Sequence, residues 1–534
     1  MYACKNCGAD LHFDIELQLL KCDHCDQTAS VYDVVKEQDG KQDEYQLNLF
    51  ECPQCGGTLL SDDTSITQYC SFCGGMTVLT SRIADEKMPE EIIPFQITKE
   101  DCHKAYEKHL KKMFYAPKAF RDCKGEQDFR AIYIPYWKFQ EKQNRPIRFS
   151  SKHERGRKKL IVTYSAELDA YYDNIIFDAS SSFADELGDA IAPFDAQGLK
   201  PFTPSYLCGF YADTADVPSD IYRKTAMDKA EEKTYQHMQE KVTEHNPGYK
   251  VIKDKQKTFN TKSNEGERIM LPAWFLAYRK GNRVAYATVN GQTGKVEADL
   301  PIDLLKFGLA SVVGSIILFI LLNMFLTLKP EVTLGITSVL LAFIMKLYAG
   351  EMRAIFYRDH KLSDMGFAYK YNELFQKWRS EETEIEKSKK EFVETIEAIF
   401  DVIGSLASLL IMLNVPVGIL IVICILTLLI INTNLAIAAW IAGTVATFFY
   451  LFQGYLYIKK TESLKGVGAI FALAAVILSG IIVFVNPVYD LYYYIGIFAT
   501  LVAVLISTLD LIHSYNIEAT QPLPEFMRQR GGEL

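Results

Sequence analysis

The hydropathy of this chain changes character near residue 307. Phe307–Leu328, FGLASVVGSIILFILLNMFLTL, runs for twenty-two residues without an ionisable side chain. At about 1.5 Å rise per residue, a helix of that length crosses a hydrocarbon core of roughly 30 Å. More apolar runs follow: Val332–Tyr348 after the turn Lys329-Pro330-Glu331, then Val402–Ile431, Thr433–Ile458, Gly466–Val485 and Leu491–Leu509. Their recurrence argues against one buried helix of a soluble core. Val402–Ile431 is interrupted by Asn414-Val415-Pro416 and reads as one tilted span or two short ones. One span returns Lys459, Lys460 and Lys465 to the inner side, as positively charged flanks prefer, whereas two leave them outside. Six spans are therefore expected, with Lys346 snorkelling at the inner end of the second and Arg528 and Arg530 inside. Between the second and third runs, the polar stretch Gly350–Glu397 spaces Phe367, Leu374, Trp378 and Ile385 like an amphipathic helix, read here as a solvated arm.

Before residue 307 the pattern is that of a mixed α+β domain. Ile92–Phe95 is strand-like, Lys99–Met113 helical, and Ala131–Phe139 (AIYIPYWKF) an aromatic strand. A related phrase returns at Ile269–Tyr278, so that Ile134-Pro135-Tyr136-Trp137 matches Leu271-Pro272-Ala273-Trp274 at an offset of 137. Aromatics around a proline at strand spacing indicate core or sheet-edge packing, with a peptide groove as the sharper alternative. Leu160–Asp178 reads as a strand, Ala192–Asp213 as a Pro- and Phe-rich loop, and Pro218–Val242 as a polar helix. Tyr286–Val289 and Lys295–Ala298 flank Asn290-Gly291-Gln292-Thr293-Gly294 and predict a hairpin. The basic stretch Lys152-His153-Glu154-Arg155-Gly156-Arg157-Lys158-Lys159 reads as a solvated hairpin tip or as a contact for anionic lipid headgroups.

The cysteines add a metal. Eight of twelve form four Cys-x2-Cys pairs: Cys4/Cys7, Cys22/Cys25, Cys52/Cys55 and Cys70/Cys73. The whole set repeats at an offset of 48. Two such pairs place four thiolates at the corners of a tetrahedron around Zn²⁺. Gly8, Gly56 and Gly74 follow three of the knuckles, where a tight turn favours positive φ. Disulfides require an oxidising compartment, and the start MYACKNCGADLHFD has neither the basic nor the apolar region of a cleaved signal, so the first domain is expected in the cytoplasm. A redox pair normally occurs once, within a βαβ unit. Two structural zinc ions with closed Cys4 shells are the expectation, with no open position for catalysis. His24, between Cys22 and Cys25, is expected at the surface.

Charge narrows the role of the ribbons. From Met1 to Glu90 there are sixteen Asp and Glu against six Lys and Arg, the wrong sign for a phosphate backbone. Docking of protein, or a purely structural role, is favoured over nucleic acid. No GxxxxGK[ST], GxSxG or HExxH occurs, and Cys102, Cys123, Cys208 and Cys424 have no partner pattern, so no enzyme is expected. Transport usually places ionisable groups within the bilayer. Glu397, Asp401, Asp490 and Asp510 instead fall at span ends, leaving Asn323 and Asn414 as deep polar candidates.

Tandem CxxC ribbons, IIPFQITKEDCHKAY, FYAPKAF, YIPYWKF, PSYLCGFYAD, LPAWFLAY and VNGQTGKV, in that order before a hydrophobic hairpin, resemble the bacterial TFIIB-type zinc ribbon-containing membrane proteins over about residues 1–350. The resemblance implies a bacterial cytoplasmic-membrane protein, relatives linked to PspA-like and flotillin-like envelope maintenance, and no established enzymatic activity. The expected architecture is multidomain. Two tandem zinc ribbons (1–47 and 48–80) and a linker (81–91) lead into an α+β, largely antiparallel cytoplasmic domain (92–303). A transmembrane hairpin (304–348), a cytoplasmic helical segment (349–401), four further transmembrane helices (402–513) and a cytoplasmic tail (514–534) complete it. The expected function is a membrane-anchored zinc-ribbon adaptor that docks a soluble partner, in envelope stress or membrane maintenance. The alternatives are a polytopic transporter or channel with a zinc-ribbon regulatory domain, and a nucleic-acid-binding membrane protein.

Overall fold

The structure, a computed structural model, describes residues 2–34, 44–61, 70–75, 80–120, 128–155, 158–182, 185–253, 259, 261–280, 282–325, 329–362, 364–370, 372–393, 433–460 and 466–522. The run 402–431, Cys123, Cys424, Asn414, Glu397, Asp401 and the tail arginines lie outside these residues.

Strands β1 (Leu11–Asp14), β2 (Leu19–Cys22) and β3 (Thr28–Ala29) form a small antiparallel sheet. The main sheet begins with β4 (Glu44–Glu51), β5 (Thr58–Ser61), β6 (Thr80–Lys87) and β7 (Glu91–Ile92). After helix α1 (Lys99–Lys112) come the long strands β8 (Arg130–Arg155) and β9 (Lys158–Asp178). Helix α2 (Asp185–Ile191), the short strands β10 (Lys200–Pro201) and β11 (Tyr211–Ala212), and helix α3 (Arg223–His245) follow. Strands β12 (Lys250–Val251), β13 (Lys262–Ser263), β14 (Glu267–Lys280), β15 (Arg283–Asn290) and β16 (Val296–Ala298) close the domain. The sheet order β10-β7-β14-β8-β11-β5-β4-β6 carries the strands around the second cysteine set into the same sheet as β8 and β14.

At the centre, β8 and β14 pair antiparallel, with Ile134 opposite Leu271, Pro135 opposite Met270 and Pro272 opposite Tyr133. Both proline phrases thus lie in the middle of the sheet, not at its edge. Proline removes a ladder donor, which ordinarily excludes it from central strands. Here each proline falls where its strand changes neighbour on the far side. The outer partner of β8 is β11 at Ile132 and Tyr133, then β9 from Tyr136 on. The outer partner of β14 is β7 at Ile269 and Met270, then β15 from Ala273 on. No ladder bond is forfeited at either site. Lys138, nearly buried between these strands, is charge-paired with Glu91 and, at 2.7 Å, with Glu267, which is what a buried ammonium requires.

Strands β8 and β9 continue past the sheet as a two-stranded arm in register from Glu141/Tyr172 to Arg155/Lys158. The sequence signalled β8 only as far as Phe139, because beyond it the strand is polar on one face and sheltered only by α3, β12 and β13 on the other.

Among the described residues, four helices are long and apolar enough to cross a membrane. These are α5 (Pro330–Asp359), α8 (Thr433–Ile458, meeting the criterion from Ile437), α9 (Val467–Val485) and α10 (Asp490–Glu518). The first expected span is helix α4 (Leu304–Phe325), whose described side chains, Leu304 to Ile317, are largely exposed. Polarity in the bundle is reversed relative to a soluble protein. Ile470, Ile481, Phe498 and Leu505 point outward, while Ala472, Ser479, Thr500, Ala503 and Ser507 are buried. Small and hydroxylated residues inside, with bulky aliphatics outside, suit a lipid surround. The buried hydroxyls are hydrogen-bonded: Thr500 to Thr337 at 2.9 Å, and Trp440 Nε1 to Ser479 at 3.2 Å.

Helices α6 (Met365–Lys370) and α7 (Asn372–Val393) correct the solvated-arm expectation. Phe367, Phe375 and Ile385 are buried in one core with Met352, Phe356 and Tyr457, so the segment folds back on the bundle. Lys370 then reaches the sheet domain, pairing with Asp216 and donating to Ser181 Oγ at 2.9 Å. Beside this contact lies Asp213, 1% exposed, which accepts from Ser180 Oγ at 2.6 Å. Burial, reinforced by the Asp216 carboxylate and only partly offset by Ser180, pushes its pKa up to about 7. A raised carboxylate pKa means that the folded chain holds this proton more tightly than the unfolded chain, whose value is near 3.9, so stability falls as pH rises from about 4 to about 7. Asp213→Asn is expected to remove this dependence and to exceed the wild type in stability at pH 8, by up to about 4 kcal/mol. Thermal unfolding of both proteins between pH 5 and 9 checks it, and parallel curves would disprove it.

Candidate metal centres

Each knuckle is held by the same two backbone bonds. The N–H three residues after the first cysteine's neighbour closes the turn: Gly8 donates to Cys4 O at 2.8 Å, Asp26 to Cys22 O at 2.9 Å, Gly56 to Cys52 O at 2.7 Å and Gly74 to Cys70 O at 3.0 Å. The first cysteine's own N–H donates to the next carbonyl along, at Ala9, Gln27, Gly57 and Gly75. The closing residue takes positive φ in all four: 77° at Gly8, 56° at Asp26, 73° at Gly56 and 63° at Gly74. Glycine marked three of these turns in the sequence. The fourth was not marked, because aspartate is among the few other residues that tolerate the left-handed region.

The folds bring all eight cysteines together in two sets, Cys4, Cys7, Cys22, Cys25 and Cys52, Cys55, Cys70, Cys73, with the sulfurs of each set within 4.8 Å of one another. Sγ–Sγ distances across the pairs are 3.6 Å (Cys4–Cys25), 3.4 Å (Cys7–Cys22), 3.9 Å (Cys52–Cys73) and 3.7 Å (Cys55–Cys70). A disulfide needs about 2.05 Å. A tetrahedron with metal–sulfur bonds of about 2.3 Å has edges of roughly 3.8 Å. The two groups could therefore hold metal ions, and the all-thiolate donor set is compatible with zinc. His24 is exposed and belongs to neither set, while Cys102 and Cys208 are buried apart from both.

The two centres sit in different surroundings. In the first, Cys4 and Cys22 are buried, Cys25 is half-buried and Cys7 is exposed. The N–H of Gln27 and the side chain of Asn6 lower the Cys25 thiol to about 6. This ribbon rests on the PSYLCG loop: Phe13 N donates to Cys208 O at 3.1 Å, Ser205 Oγ to Val31 O at 2.6 Å, and Phe13 packs edge-on against Tyr206. In the second, all four cysteines are buried and share a core with Phe50, Phe72, Ile134, Leu271 and Phe275. Hydrogen bonding among the thiols drives Cys52 well below, and Cys55 and Cys70 well above, the ordinary thiol range. Negative charge shared by a buried thiol set is what a cation stabilises. Tyr286 OH donates to Phe72 O at 2.7 Å and Arg279 to Gln54 Oε1 at 2.9 Å, so β14 and β15 clasp the second centre from outside the ribbon.

The chain is similar to YdjG of Bacillus subtilis. That protein, described as uncharacterized, is 29% identical over 311 residues, which cover 57% of this chain and 90% of the relative. No protein-family model and no solved structure matches.

Proposed function

We propose that this chain is a membrane-anchored adaptor of the bacterial cytoplasmic membrane, holding one structural zinc ion in each tetracysteine set and docking a soluble protein partner on its cytoplasmic ribbon and sheet domain. The observation that supports this reading is the fastening of the sheet domain to the apolar bundle. Asn516, near the end of α10, exchanges two hydrogen bonds with Ile302, at 2.6 and 3.0 Å, and Arg358 of α5 pairs with Asp299 at 3.1 Å. Beyond α10, Gln521 and Pro522 add a short strand to β15 beside the Arg283–Thr520 bond. Such a platform presents its surface in a fixed pose. A docking partner then loses less orientational freedom on binding.

The ribbon surface defines the partner's chemistry. Glu16, Asp23 and Asp26 are exposed on the first ribbon, so a basic protein surface fits and a nucleic-acid backbone does not. The envelope-maintenance role implied by the family resemblance is consistent with such a scaffold. Glu16→Lys with Asp23→Lys in the full-length chain is expected to leave metal content and membrane insertion intact. Crosslinked pull-downs from native membranes should then lose the soluble partner recovered with the wild type. Equal recovery from both would sink the docking role of this face.

A further inference from the structure

The arm formed by β8 and β9 leaves one long edge. Among the described residues β9 pairs with β8 alone, whereas β8 also receives β11, β12, β13 and β14. The outer edge of β9 runs for the length of a 21-residue strand. It carries exposed apolar side chains, Leu160 at 48% and Ile161 at 63%. A long open edge is a template for pairing with another chain.

The charge along β9 says which chain. Its first residues are basic, Lys158 and Lys159, and its later ones acidic, Glu167, Asp169 and Asp173. A strand of that polarity is complementary to itself when reversed. We propose that β9 is a self-association edge, on which two copies of this chain pair antiparallel with Tyr164 opposite Tyr164. That register sets Lys159 against Asp169, Leu160 against Leu168 and Val162 against Ala166. Side chains alternate between faces along a strand, and a register in which paired residues have the same parity keeps each face continuous across the junction. Even positions Tyr164, Leu168 and Tyr172 lie on the sheltered face, where Tyr172 and Tyr164 bond Thr234 and Asn246 of the α3 region. Odd positions Thr163, Ser165, Glu167 and Asp169 are exposed on the other. The pairing would thus extend both the sheltered and the polar surfaces. Because the contact is isologous, every charge pair occurs twice.

The test is a charge swap in the zinc-loaded full-length chain, reconstituted in lipid nanodiscs and in vesicles, with the dimer fraction read by crosslinking and single-molecule bleaching. Lys159→Asp and Asp169→Lys each place like charges opposite one another twice, and each should weaken dimerisation by roughly tenfold. The double variant Lys159→Asp with Asp169→Lys should restore the wild-type fraction. Both positions are exposed, Asp169 accepting from Asn144 Nδ2 at 3.3 Å across the arm, and unchanged thermal unfolding of each variant verifies that the arm is kept. A monomeric wild type, or a dimer indifferent to the single reversals, overturns the proposal. Loss without rescue also overturns it, because the edge would then belong to a different partner.

Discussion

Cys52→Ser is expected to unfold the sheet domain, not just the second ribbon. The four thiols there are buried in the same core as Ile134, Leu271 and Phe275, and the strands that carry them belong to the main sheet. Structural zinc contributes about 10–16 kcal/mol of apparent binding free energy, which matches or exceeds the roughly 5–15 kcal/mol net stability of a typical domain. In the proposed zinc-bound state, removing one thiolate would also weaken the hold on the cation that offsets the remaining buried negative charge. Cys7→Ser should behave differently, because Cys7 is exposed at the rim of the first centre and its loss opens no cavity in the main core. The expected readings are two zinc ions per wild-type chain, about one for Cys7→Ser with the sheet domain still protected, and loss of amide protection throughout β8 and β14 for Cys52→Ser. Chelator should likewise remove the first ion before the second. Metal analysis with hydrogen exchange checks both, and a protected sheet in Cys52→Ser would refute the argument.

The second large effect is expected at Gly443, where α8 crosses α5. A Cβ there would lie 2.7 Å from the Ser338 carbonyl carbon and 2.8 Å from Ser338 O and Val339 N, all backbone atoms that no rotamer can move aside. Close helix approach over small residues is a principal source of cohesion in a lipid environment. Gly443→Leu must separate the helices, exposing buried Ser338 and Thr447, and should cost at least the upper end of the roughly 1–3 kcal/mol seen for overpacking. Gly454→Ala on the same helix is the control. Its Cβ meets Tyr348 at an ordinary 3.6 Å, and little change is expected. Thermal unfolding in nanodiscs compares the two, and equal midpoints would contradict the packing account.

Much of this architecture was legible because its signals are local. A Cys-x2-Cys turn needs only its own residues, so both cysteine sets could be read in advance. The same holds for the hairpin at Asn290–Gly294, where Asn290 Oδ1 accepts from Gln292 and Thr293, each at 2.9 Å, and Gly294 takes φ 73°. Apolar helices are likewise announced by composition. What stayed hidden depends on partners distant in sequence. Phe367 and Ile385 look alike in a solvated arm and in one that covers Met352 and Phe356. Nothing in the sequence at Cys52 says that β5 will join β11, 150 residues on, through the pairing of Ser61 with Tyr211. The phrases around Pro135 and Pro272 left core and sheet edge both open, since only the change of neighbouring strand makes proline harmless in the centre.

Those two prolines mark a local internal symmetry. Ile134 faces Leu271, its own counterpart in the repeated phrase. The surrounding bonds repeat as well. Asp213 N donates to Tyr133 O at 2.9 Å as Ile93 N donates to Met270 O at 3.0 Å, and Ala179 N donates to Pro135 O as Gly291 N donates to Pro272 O, both at 2.9 Å. The two phrases therefore meet about a local two-fold axis, as the subunits of a symmetric dimer would. The two cups differ in what they cradle. Around Pro135 the cup ends in Asp178 and lies beside the α6 segment, where Gly366 approaches Ser180 O, and around Pro272 it ends in Asn290 and stays within the sheet domain. A substitution in either cup therefore has a natural counterpart in the same molecule against which its effect can be measured.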